Sequence, residues 1–66
     1  MSALASYRAE ANRLHLLTRN LSDRIMADDG QSPAKTATLG IRLAVALREL
    51  DDHIVDTGTL PVGWNV

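Results

Sequence analysis

The chain has 66 residues, a formal charge of -1 from seven basic and eight acidic side chains, 45% hydrophobic residues and no cysteine. At this length burial only just offsets an ordering entropy of about 1.5 kcal/mol per residue, and without thiols neither disulfides nor thiolate metal sites are open to it, which leaves oligomerisation as the common route to stability. The balanced charge and the presence of only two aromatic residues, Tyr7 and Trp64, speak against a nucleic-acid binder driven by counterion release and against a stacking platform for single strands.

The first element is a helix over about 2–28, beginning at Ser2 or Ser6 and carried by alanine, leucine, arginine and glutamate with no internal glycine or proline. Charge enters before any apolar run reaches signal-peptide length, and the longest such run, Leu43 to Leu47, is too short for a bilayer. A cytoplasmic protein with no membrane partner is expected. Asp28-Asp29-Gly30 marks the stop, with Gly30 free to turn left-handed. Two aspartates oppose the negative end of the helix dipole, so the last turn either frays or serves the next helix.

A turn over 29–32 leads to Ser32-Pro33, a start signal in which serine caps free amides and proline has no amide to waste. The second helix runs over about 33–57. Gly40 lies inside it, where a small residue would let the two helices approach closely. Thr57-Gly58 and Pro61 end it, leaving an irregular tail over 58–66 whose Leu60 and Trp64 are expected to be tied down.

Two heptad ladders run through these helices. The first is Leu4, Tyr7, Ala11, Leu14, Thr18, Leu21, Ile25; the second, read backwards, is Thr57, Ile54, Leu50, Leu47, Leu43, Gly40, Thr36. Paired in those orders, the residue numbers have a constant sum, the condition for an antiparallel hairpin whose a and d positions face each other. The expected fold is therefore all-α, a single antiparallel two-helix hairpin over 1–66 with an ordered irregular C-terminal tail.

The flanks of the seam follow from the same register. One side sets Arg8 near Asp51, His15 near Ala44 and Ser22 near Ala37; the other sets Glu10 near His53, Leu17 near Ala46 and Arg24 near Leu39. The middle of both flanks is small or apolar, and helix 2 carries more apolar surface than one partner can cover. This is the pattern of a homodimeric four-helix bundle. Leu17, Leu39, Ile41, Val45 and Ala46 are the residues assigned to self-association, and Leu16 and Trp64 to contact with a different protein partner. For Trp64 a cap over Leu4, Tyr7 and Ile54 at the open end is the first reading, and the partner anchor is the alternative.

Residues that might suggest chemistry have plainer readings. Glu49, Asp51, Asp52, His53 and Asp56 cluster late in helix 2, but Glu49 and His53 are four apart, where di-iron bundles use three, so a solvated acidic face is favoured over a metal site. His15 and His53 have no expected cleft in which to act as acid or base. Arg8, Arg13, Arg19 and Arg24 spiral around helix 1 and form no basic stripe. No catalytic residue, cofactor or metal is expected. The alternatives kept beside a protein-interaction module are a dimeric nucleic-acid-associated regulator and, behind it, a metal-binding bundle.

Leu47-Arg48-Glu49-Leu50-Asp51-Asp52-His53, followed by Thr57-Gly58-Thr59-Leu60-Pro61 and Trp64, resembles the ends of some small helical proteins of actinobacteria and their phages, in which a Leu-x-x-Leu-Asp helix runs into a Gly-x-Leu-Pro-x-x-Trp tail. The resemblance covers roughly the last third of the chain. It implies a small phage or bacterial accessory protein of a kind that binds and diverts a host protein, and it carries over no active residue.

Overall fold

The computed structural model describes residues 3–64. Within them the chain forms two helices and no strand: α1, Ala3–Asp28, and α2, Pro33–Thr57. They pack side by side and antiparallel in a body of 45 × 23 × 18 Å. A start at Ser2 lies outside the described residues, and Ser6 lies within α1 rather than at its edge.

The turn uses a device the sequence left open. Asp29 and Gly30 both take left-handed backbone, with φ of 51° and 75°, and reverse the chain in two residues. The Asp28 carboxylate then reaches forward and accepts hydrogen bonds from the Ser32 amide and the Thr36 hydroxyl, both at 3.0 Å. Ser32 has the extended backbone of an N-cap, but its own hydroxyl makes no capping bond. The expected capping role passes from Ser32 to Asp28, whose charge suits the positive end of α2 although it ends α1. Asp28→Ala is accordingly expected to lower stability by about 1 kcal/mol and Ser32→Ala by only a few tenths, as read from urea unfolding midpoints. Equal losses would return the cap to serine.

The buried stripe on α1 follows the ladder from Ala11 through Leu14, Thr18 and Leu21, with Ile25 packed beside them, while its first two members, Leu4 and Tyr7, are exposed. On α2 the stripe keeps the ladder positions 36, 40, 43, 50, 54 and 57 but not 47. Leu39, Ala46 and Leu50 are each 3% exposed, Leu43 packs against that cluster, and Leu47, expected in the seam, is 50% exposed. From Leu39 onward the buried and half-buried positions of α2 are 39, 40, 43, 46, 50, 53, 54 and 57, a stripe that advances with a 3.6-residue period. Against such a stripe a 3.5-residue ladder slips by about 20° per heptad, and over two to three heptads the slip favours Ala46 over Leu47. Leu39 and Ala46, assigned to self-association, are thus corrected to the hairpin's own core.

Gly40 also differs from expectation. A Cβ built there meets no other atom within 4 Å, so close helix approach does not require glycine. Gly40→Ala is expected to raise stability by about 1 kcal/mol, the helix-propensity difference, with an unchanged denaturant slope. A loss would reveal a contact that needs the bare backbone.

The tail is ordered up the side of α1. Gly58, at φ 67°, closes α2 by donating its amide to the Ile54 carbonyl at 2.7 Å. Thr59 and Pro61 are buried, Leu60 is half-buried, and the Val62 amide bonds the Asn12 side-chain oxygen at 2.8 Å. Leu60 is held as expected, though its two neighbours lie deeper.

Candidate functional site

Of the large apolar side chains that the hairpin leaves exposed, three stand together on one flank. Leu17 on α1 and Ile41 and Val45 on α2 are 39%, 67% and 51% exposed. They line a cavity of about 360 Å³ between the two helices, together with Leu21 and Ala46. Ala46 is both buried and short, and the register sets it beside Leu17, so the flank between the helices has a methyl group for its floor. Arg24, Arg42, Asn20 and Glu49 complete the lining. Of the five residues assigned to self-association, four meet here, and Leu39 lies beneath in the core cluster with Leu21 and Ala46.

Charge is sorted along this groove. In the antiparallel pair, Arg24 and Arg42 belong to the turn end and Glu49 to the open end. Beyond Glu49, Glu10 is bonded by both guanidinium arms of Arg13, with the Nε contact at 3.1 Å. Arg13's hydrogen bonds hold the Glu10 carboxyl below the usual carboxylate range, helped by the nearby charge of His53, and the same pair raises Arg13. Of these charges Arg24 and Glu10 were legible as flank residues, whereas Arg42, Glu49 and Arg13 join them only in the packed hairpin.

The residues assigned to a second partner lie elsewhere. Leu16 is 62% exposed and shares a shallow concavity with Asn12, His15, Arg19 and Val62. Trp64 rests edge to face on His15, with ring centroids 5.2 Å apart and planes at 87°. The cap expected over Tyr7 and Ile54 is replaced by this contact, although Trp64 and Leu4 do border one concavity at the open end with Arg8 and the tail. Trp64 remains 42% exposed. His15 is therefore the residue that brings Leu16 and Trp64 to one side of α1, a contact across nearly the whole chain that local spacing cannot announce.

Tyr7 instead meets His53, edge to face at 6.2 Å, and His53 Nε2 donates to the Tyr7 carbonyl at 2.7 Å. That bond occupies the ring nitrogen nearest α1 and makes His53 a tie between the last turns of α2 and the first turns of α1. The rest of its acidic cluster, Glu49, Asp51, Asp52 and Asp56, is exposed. Among the described residues, no three histidine, aspartate or glutamate side chains converge on one point as a metal would require. No described helix is long and apolar enough to cross a membrane.

No protein-family model, curated protein or solved structure matches the chain. Its function has to be read from the surface itself.

Proposed function

We propose that this protein is a non-catalytic helical interaction module that self-associates into a four-helix bundle and presents a second face to a different protein partner. The observation that carries the reading is the groove in which Leu17, Ile41 and Val45 stand exposed over Leu21 and Ala46. Exposed apolar side chains scattered singly mean little, whereas a contiguous set between two helices gives the third and fourth helices of a bundle their place. Surface area supports it. A compact monomer of 7.2 kDa exposes about 4100 Å², and this chain exposes 4859 Å². The excess, roughly 700 Å², is close to the 800 Å² or so that each partner contributes to a standard interface.

The second face is Leu16 with Val62 and the exposed part of Trp64. A half-exposed tryptophan held in place by His15 has little rotamer freedom left to lose, which favours it as an anchor for a protein surface. The likeness of the chain's end to small actinobacterial and phage proteins suits an accessory role of this kind. Sedimentation velocity at micromolar concentration tests the first half of the proposal. A species of about twice the chain mass is expected; a folded, helical monomer across that range would overturn it.

A further inference from the structure

Resting on that self-association reading, we infer that the occupant of the Leu17–Ile41–Val45 groove is a second copy of this chain in one orientation, end over end, so that the turn of each hairpin lies beside the open end of the other. Two stacked hairpins related by a two-fold axis have two ways to meet. If the axis runs along the helices, the turn ends coincide, and Arg24 and Arg42 of one copy are driven onto Arg42 and Arg24 of the other. If the axis crosses the helices, α2 lies antiparallel on the α2 of the second copy, Val45 meets Val45, and the Arg42 end of each groove lies on the Glu49 end of its mate.

The charges on the page select the second arrangement. Arg24 and Arg42 mark one end of the groove and Glu49 the other, while Arg13, close enough to Glu49 to feel its charge, is already bonded to Glu10. The wider molecule agrees. Its turn half carries Arg19, Arg24, Lys35 and Arg42 against Asp23, Asp28 and Asp29; its open half carries Arg8, Arg13 and Arg48 against Glu10, Glu49, Asp51, Asp52 and Asp56. Aligning like halves costs energy over the whole length, and opposing them does not, so charge sets orientation while the apolar groove supplies affinity. The contact is isologous: the Ile41–Val45 ridge of each copy fills the space above Ala46 in the other, and the two-fold closes the assembly at two chains.

The absence of native cysteine makes the orientation directly measurable in the full chain by disulfide formation under mild oxidation. Val45→Cys alone is expected to cross-link into a covalent dimer, and a mixture of Ile41→Cys and Glu49→Cys chains to give the mixed dimer in preference to either self-linked species. Self-linked Ile41→Cys dimers, or an associated protein in which Val45→Cys stays unlinked, would overturn the orientation while leaving self-association intact. A monomer by sedimentation would overturn the parent reading and this one together. Charge reversal gives a readout independent of cysteine. Arg42→Glu should weaken the dimer about tenfold and Arg42→Glu with Glu49→Arg should restore it; a double variant weaker than the single would reject the pairing.

Discussion

Replacing Ile41 and Val45 together by aspartate is expected to leave a helical monomer at concentrations where the parent protein is paired. Fully burying an isoleucine or valine stabilises by about 1.5–3 kcal/mol, and these two are still 67% and 51% exposed in their own hairpin, so a little over half of that is at stake per side chain. Two-fold symmetry counts each substitution twice. The total is roughly 3–6 kcal/mol, a dissociation constant raised by a factor of about 10² to 10⁴ before the cost of four desolvated carboxylates is added. Sedimentation equilibrium measures it. Leu16→Asp, a charge on the other side of α1, is the matched control and should leave pairing unchanged; if it dissociates the protein equally, the face has been misassigned. Because folding and pairing are linked, the double variant should also melt at a temperature that no longer rises with protein concentration.

Leu39→Ala is expected to be the most damaging single truncation in the hairpin. Leu39 is 3% exposed and packs with Leu21 and Ala46 at the centre of the core. Removing a buried leucine side chain costs about 2–5 kcal/mol depending on how far the site collapses, comparable with the whole stability of a domain this small. Leu47→Ala should cost less than about 1 kcal/mol, because half of that side chain is already in water. The ladder read from sequence orders the two the other way, placing Leu47 in the seam and Leu39 on a flank. Denaturant titrations of both variants at one protein concentration decide between them, and a larger loss at Leu47 would mean that the helices supercoil after all.

Those two leucines show where sequence reading stops. Helix ends at Asp28, Pro33 and Thr57, the antiparallel course and the stripe on α1 from Ala11 onward were all legible, because caps, proline, glycine and apolar period are local signals. Which face of α2 meets α1 was legible only to within one residue. A heptad and a straight helix differ by about 20° in seven residues, and only the packing of side chains across the seam resolves the difference. The groove itself was half legible, since the register already sets the Ala46 methyl beside Leu17, but its depth needed the packed side chains. Leu17, Ile41 and Val45 were identifiable as surplus apolar surface and Arg24 as a flank residue; Arg42, Asn20 and Glu49 entered through three-dimensional adjacency. The ties of Trp64 to His15 and of Val62 to Asn12 join residues about fifty positions apart, beyond the reach of any local pattern.

The two ends of the hairpin differ in how soon they can form. The bonds of Asp28 to Ser32 and Thr36 close loops of four and eight residues, whereas His53 to Tyr7 and Val62 to Asn12 close separations of 46 and 50. Loop-closure entropy alone makes the long contacts about 1.5 kcal/mol harder to initiate than the bond to Thr36. On that count the turn is expected to form first, with α1 and α2 zipping outward from it and the tail added last. A chain still growing from its N-terminus meets the same order of events: α1 has no partner until the turn emerges, and the apolar stripe of α2 is covered almost as soon as it appears.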